Sequence, residues 1–215
     1  MLKKGILLIG ISSFVLSSCI EHEVIPPPEP KVELNAHFYG EVNGAPVEFT
    51  ENVLGYTNNC TSAKYILPPP DFSEAVYFAE MSSLQIATSV KIGLGAATWD
   101  ASLTGEPTLA TFNAFHQANL FPTYSDDALA GFEATYRDGT GREWKSSENS
   151  VNVQNVEFTA VVQESDNTGD YSKFICNFDC WMYSLHPDSL ALNPPVIQLD
   201  SVHMENAVYE GWFCR

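Results

Sequence analysis

The chain of 215 residues carries 27 acidic and only 10 basic side chains, a formal net charge of −17. Because nucleic-acid affinity depends on lysine and arginine residues that release counterions, so acidic a chain repels phosphate backbones, and nucleic acid is excluded as a partner. The length suits one ordinary domain or at most two small ones, and a 45% content of hydrophobic residues argues against disorder.

Residues 1–18 predict a cleaved secretory signal peptide. Lys3 and Lys4 precede an apolar run over residues 5–16, which is shorter than the about 20 apolar residues that cross a bilayer. The run ends at Leu16-Ser17-Ser18-Cys19, which resembles the motif at which bacterial lipoprotein signal peptides are cut after the cysteine has been acylated. The sequence therefore predicts a mature chain that begins at Cys19 and carries acyl chains such as palmitate there.

Residues 19–31 predict an acylated, proline-rich tether, because the run Pro26–Pro30 favours an extended polyproline segment. Glu21 and Glu23, directly after Cys19, resemble the export signal of surface lipoproteins in the Bacteroidetes group, although a solvated linker would account for them as well. An acidic chain disfavours direct contact with anionic lipid, so the acyl chains must provide the membrane attachment. We expect an outer-membrane lipoprotein on the cell surface, with the periplasmic face as the alternative.

Residues 32–215 predict a single β domain. Alternating apolar and polar residues over 32–50, interrupted by Asn43-Gly44, are typical of a hairpin with a type I′ turn. Pro107 before apolar residues at helical spacing predicts one short amphipathic helix. Further strands are predicted at 75–81, 85–94, 129–137, 142–146, 151–163, 171–183, 196–204 and 207–214. About nine or ten short strands favour an all-β, antiparallel two-sheet sandwich or a flattened barrel.

Four cysteines besides Cys19 predict two disulfides, since an even number in an exported protein is typical of an oxidising compartment. These are Cys60, Cys176, Cys180 and Cys214. If residues 172–183 form one strand, the Cα atoms of Cys176 and Cys180 lie about 13 Å apart, beyond the about 7 Å that a disulfide tolerates. We therefore expect each of these two to pair with Cys60 or Cys214. A metal site is the alternative, but the sequence has no paired CxxC spacing and its histidines lack a zinc-type spacing, and we predict no metal or cofactor.

The sequence contains no GxSxG, HExxH, P-loop or dinucleotide-binding motif. We therefore predict no catalytic residues, although the carboxylates of a glycosidase can lie anywhere in a sequence. The acidic run Glu164–Asp170 could supply calcium ligands, but solvated turn chemistry explains it better.

The segment 172–183 separates two sets of side chains by strand alternation. The set that contains Phe174, Cys176, Phe178, Cys180 and Met182 is expected in the core. The opposite set contains Trp181, Tyr183, Asn177 and Asp179, and it predicts either a ligand platform that stacks sugars or a surface packed under a loop or helix.

Several segments resemble parts of uncharacterised Bacteroidetes outer-membrane lipoproteins. They are Phe38–Phe49, Tyr136–Trp144, Phe174–Tyr183 and Ile197–Phe213. The resemblance implies a β-sandwich in the cell envelope and lends no catalytic residues, and the four cysteines depart from the pattern. The sequence as a whole predicts a lipid-anchored domain with a non-catalytic binding or structural role toward an unknown protein or glycan partner. A surface carbohydrate-binding accessory or glycan hydrolase is the alternative.

Overall fold

The structure is a computed structural model that describes residues 31–186 and 198–215. The predicted signal peptide, Cys19 and nearly all of the predicted tether lie outside the described residues. Ten strands and one α-helix are described. The strands are β1 His37–Val42, β2 Ala45–Thr50, β3 Tyr56–Tyr65, β4 Ser73–Ser83, β5 Ser89–Trp99, β6 Phe132–Arg137, β7 Glu143–Ser146, β8 Asn155–Asp166, β9 Gly169–Leu185 and β10 Leu199–Cys214; the helix is α1 Leu109–Ala118.

All ten strands belong to one antiparallel sheet in the order β2-β1-β10-β9-β7-β6-β5-β4-β3, with β8 paired to β9 beside this path. The sheet curls into a half-barrel. The predicted all-β antiparallel fold with one short helix is confirmed, in the form of one continuous curled sheet. The hairpin of β1 and β2 is also confirmed, and Asn43 and Gly44 both have the positive φ that a type I′ turn requires.

Strand β9 has three partner strands in the sheet. It pairs with β10 on one edge, and on the other edge first with β8 and then with β7. The predicted alternation of its side chains is confirmed, since five of them are buried in the half-barrel core: Phe174, Cys176, Phe178, Cys180 and Met182. The opposite side chains therefore lie on the outer face.

The cysteine predictions need a correction. Cys60 on β3 and Cys214 at the end of β10 form a disulfide, with their Cα atoms 5.6 Å apart, whereas Cys176 and Cys180 are buried free thiols. The prediction that each of the latter pairs with Cys60 or Cys214 is wrong. Strand β9 directs both thiols into the core, while the disulfide forms where the edge strand β3 meets β10. Nearby, the Tyr209 hydroxyl donates to Asn58 Oδ1 and joins the same two strands.

Helix α1 confirms the predicted helix. Its N-cap is Thr108, whose hydroxyl accepts from the Thr111 backbone N–H at 3.2 Å. The helix buries Phe112 and His116 against the core, where the His116 imidazole stacks on the Phe213 ring.

One end of the half-barrel receives the chain from the predicted tether, because the Val32 backbone N–H donates to Asp166 Oδ2 in the β8–β9 turn at 2.7 Å. We call this the tether end. The antiparallel registers place the β3–β4 turn, the end of β5 and the end of β10 here as well. The β4–β5 turn, the β6–β7 turn and the start of β10 lie at the opposite end.

Candidate functional site

A concavity of about 540 Å³ opens on the outer face of the half-barrel. It lies between a 3₁₀ turn at Asp126–Ala128, strand β7 and the segment that follows it, and the last residues of β9. We call it the outer cleft. The lining residues that could bind a ligand are Asp126, Asp127, Glu133, Lys145, Asn149 and Tyr183.

Strand register brings three of these side chains together. Lys145 on β7 pairs with Thr135 on β6 and, on its other side, with Tyr183 on β9. Because side chains alternate between the faces of a strand, Glu133, two residues before Thr135, shares the outer face with Lys145 and Tyr183. The cleft therefore has a floor made by three different strands.

The wall opposite β9 is the 3₁₀ turn, and glycines of β5 allow it to lie close to the sheet. A Cβ atom added to Gly93 would stand 2.7 Å from the Ala128 Cβ atom, which is closer than real side chains approach. Asp127 and Ala128 adopt positive φ, and the Asp127 backbone N–H donates to Glu133 Oε2 at 2.7 Å. Glu133 thus ties the wall to the floor.

The electrostatics of the cleft are dominated by carboxylates. Glu133 is buried, and this burial raises the pKa of its carboxyl group, while the nearby Lys145 ammonium opposes the rise. Lys145 Nζ lies 3.6 Å from Asp127 Oδ1 and 4.0 Å from Glu133 Oε1. The oxygen acceptors beside the Tyr183 ring can accept hydrogen bonds from the hydroxyl groups of a ligand, and the Lys145 ammonium can donate to ligand oxygens.

The four residues of the predicted platform follow one another along the outer face of β9 and border two concavities. Tyr183 lines the outer cleft, where its hydroxyl lies 3.1 Å from Ser150 Oγ. Asn177 and Asp179 line a second depression of about 330 Å³ beside the bulge of β10. Trp181 lies between these residues on the same face of β9 and lines neither concavity.

Trp181 is already stacked on a neighbour. Its ring lies 4.8 Å from the ring of His203 on β10, and the two planes are 7° apart. His203 is held on both sides, since its Nε2 atom lies 2.8 Å from Asp179 Oδ1 and its Nδ1 atom lies 2.6 Å from Glu205 Oε1. One face of Trp181 is therefore covered by protein, whereas Tyr183 lines the outer cleft.

Sequence reasoning missed Asp127, Glu133 and Lys145 as site residues. The alternation of strands 129–137 and 142–146 could have assigned Glu133 and Lys145 to an outer face. Their proximity to Tyr183 depends on the pairing of β7 with β9, which spans the sequence from 145 to 183. Local pattern carries no information about such a pairing.

The acidic run Glu164–Asp170 forms the β8–β9 turn. Asp166 Oδ1 accepts from the backbone N–H and the hydroxyl of Thr168, at 2.7 and 2.6 Å. These hydrogen bonds lower the pKa of Asp166 to about 2. Across residues 31–186 and 198–215, no group of three or more histidine, cysteine or acidic side chains is arranged to hold a metal ion. In the same ranges, no helix is long and apolar enough to cross a membrane.

Comparison with known protein families, with characterised proteins and with solved structures found no significant match.

Proposed function

We propose that the chain is a lipid-anchored lipoprotein of the cell envelope whose β domain binds a small polyhydroxylated ligand, such as a short neutral glycan, in the outer cleft. The observation that carries this proposal is the combination of the Tyr183 ring with the oxygen acceptors of Asp127 and Glu133 in one open concavity. Sites for small ligands are typically concave, with apolar surface for contact and a few polar groups that fix orientation.

Charge narrows the class of ligand. An anionic ligand would meet Asp126, Asp127 and Glu133, with Lys145 as the opposing cation in the cleft. Neutral sugars supply hydroxyl donors to these carboxylates and an apolar ring face to Tyr183. The Lys145 ammonium can donate to a sugar oxygen at the same time.

Binding should be measured by calorimetry with the purified full chain and a panel of short neutral oligosaccharides. Tyr183→Ala should weaken binding by about 1 to 2 kcal/mol, since a buried aromatic contact at the centre of a site is typically a dominant one. The matched control is Tyr39→Ala, because Tyr39 is an exposed tyrosine on β1, which β10 and β9 separate from β7 in the sheet. Equal affinity of wild type and Tyr183→Ala for every ligand that binds would contradict the assignment of the cleft.

A second candidate, glycan hydrolysis, is favoured by one observation. Glu133 has a raised pKa, and Lys145 contacts both it and Asp127, so the two carboxyl groups lie near each other. Glycosidases use two carboxyl groups about 5 to 9 Å apart, of which the acid has a raised pKa. Chromatography of the glycan after incubation separates the candidates: recovery of intact glycan supports binding, whereas cleavage that Glu133→Gln abolishes supports hydrolysis.

The anchor is tested independently of the cleft. A labelled fatty acid should enter the wild-type chain and not Cys19→Ala, and equal labelling of both would contradict the lipid anchor.

Surface location is tested by treating intact cells with a protease too large to cross the outer membrane. The domain should be removed from wild-type cells, and Glu21→Ala/Glu23→Ala should protect it.

A further inference from the structure

The turn between β3 and β4 exposes a cluster of large apolar side chains. Tyr65, Ile66, Leu67 and Phe72 are each between 40% and 62% exposed, and we call these four residues the apolar tip. Single exposed apolar residues are ordinary, but contiguous groups mark surfaces that contact a partner or a membrane.

The apolar tip is held in its exposed conformation. The Leu67 backbone N–H donates to Ser73 Oγ at 2.9 Å, and the Asp71 N–H donates to the Pro68 carbonyl at 3.1 Å. Three consecutive prolines between Leu67 and Asp71 restrict φ through the centre of the turn. These constraints fix the backbone of the turn, and the Tyr65 side chain lines a depression with Phe78 and Lys91 of the neighbouring strands.

The apolar tip belongs to the tether end. Lys64, directly before it, lies 2.7 Å from Glu106, and Glu106 lies 3.1 Å from Arg215. Arg215 in turn lies 2.7 Å from Asp170 at the start of β9. This chain of ion pairs joins the base of the tip to the β8–β9 turn, which holds the first residues of the domain. Leu103, which is 79% exposed, follows the end of β5 at the same end of the half-barrel.

We propose that the apolar tip inserts into the interfacial region of the bilayer that holds the lipid anchor and thereby fixes the orientation of the domain on the membrane. This inference rests on the proposed acylation of Cys19. Residues between Cys19 and Lys31 can span at most about 40 Å when fully extended. The anchor therefore keeps the bilayer at a high effective concentration beside the tether end, so that a small apolar area suffices for insertion.

The charges around the apolar tip specify the lipid. Asp71 lies within the turn, and Glu74 and Glu106 lie at its base, where Lys64 is already paired. Basic side chains are what attract a domain to anionic lipid. The occupant that fits the tip is therefore a neutral, zwitterionic bilayer surface, and the acyl chains at Cys19 supply the attachment itself.

The test uses the full acylated chain on phosphatidylcholine vesicles whose acyl chains carry bromine, which quenches tryptophan fluorescence on contact. Phe72→Trp places a reporter in the apolar tip. Leu84→Trp is the matched control, because Leu84 is fully exposed in the β4–β5 turn at the opposite end of the same strand, β4. After subtraction of the wild-type signal, Phe72→Trp should lose most of its added fluorescence and Leu84→Trp should lose none.

Flotation of the same vesicles separates the two proposals. If the wild-type chain does not float with the vesicles, the lipid anchor fails, and the inference fails with it. If the wild-type chain floats and Cys19→Ala does not, but Phe72→Trp is quenched no more than Leu84→Trp, the anchor stands and insertion of the tip is overturned. The exposed apolar residues would then belong to a protein contact.

Discussion

Removal of the Cys60–Cys214 disulfide should destabilise the domain more than any surface substitution. The bridge joins residues 154 positions apart. For a loop of this length, the loss of chain entropy in the unfolded state corresponds to about 5 kcal/mol at 25 °C. Measured losses for native disulfides are about 2 to 5 kcal/mol, so Cys60→Ser/Cys214→Ser should lose a large part of the about 5 to 15 kcal/mol that stabilises an ordinary domain.

Urea unfolding of the full chain, followed by tryptophan fluorescence, measures this loss. With a denaturant dependence of about 2 kcal/mol per molar urea, the midpoint should fall by about 1 to 2.5 M in Cys60→Ser/Cys214→Ser. Reductant should produce the same fall in the wild type and no further fall in the variant.

Cys176→Ala/Cys180→Ala provides the control, because it removes the two buried free thiols and keeps the bridge. This variant should still respond to reductant. Two results would contradict the Cys60–Cys214 bridge. One is a wild-type urea midpoint that reductant leaves unchanged, and the other is a midpoint that reductant no longer lowers in Cys176→Ala/Cys180→Ala.

Two further substitutions test the core and the cleft. Burial among aromatic rings lowers the pKa of His116 from 6.5 to about 4. Between these values the unfolded chain binds a proton that the folded chain does not, so the free energy of unfolding should fall by about 3 kcal/mol as the pH drops from 6.5 to 4. His116→Phe should remove this part of the pH dependence in urea titrations, and an unchanged dependence would contradict the assignment. Gly93→Ala should displace the 3₁₀ turn, cost about 1 to 3 kcal/mol by overpacking and weaken ligand binding in calorimetry. Gly105→Ala, where a Cβ meets nothing within 4 Å, should change neither stability nor affinity.

Local sequence signals predicted the elements whose structure is determined locally. Asn43-Gly44 predicted the first hairpin, because a type I′ turn matches the twist of its strands and both residues adopt the positive φ that this turn requires. The spacing of Phe112 and His116 after Pro107 predicted α1, and strict alternation predicted which face of β9 is buried. In each case the residues that form the pattern lie within a few positions of one another in the sequence.

Local sequence patterns did not predict one strand that depends on distant partners, and they predicted another as two separate strands. Strand β3 was not predicted, because its polar run Thr57–Ser62 offers little apolar alternation, and its conformation depends on β4 and on the bridge to Cys214. Two strands predicted at the C-terminus form the single strand β10, which continues through a bulge at Glu205 and Asn206. The register across β7 and β9 assembles the outer cleft, and no local pattern specifies it.

The direction of β1 determines how the domain responds to mechanical load. The chain reaches β1 from the tether end, and β1 then runs away from that end between β2 and β10. A pull at Val32 acts along the axis of β1, whereas its hydrogen bonds to both neighbours lie across that axis. The bonds are therefore loaded together in shear instead of breaking one after another, as they would if the strand were peeled from its end. Tension between a membrane and a bound surface would be shared by the ladders that join β1 to β2 and to β10.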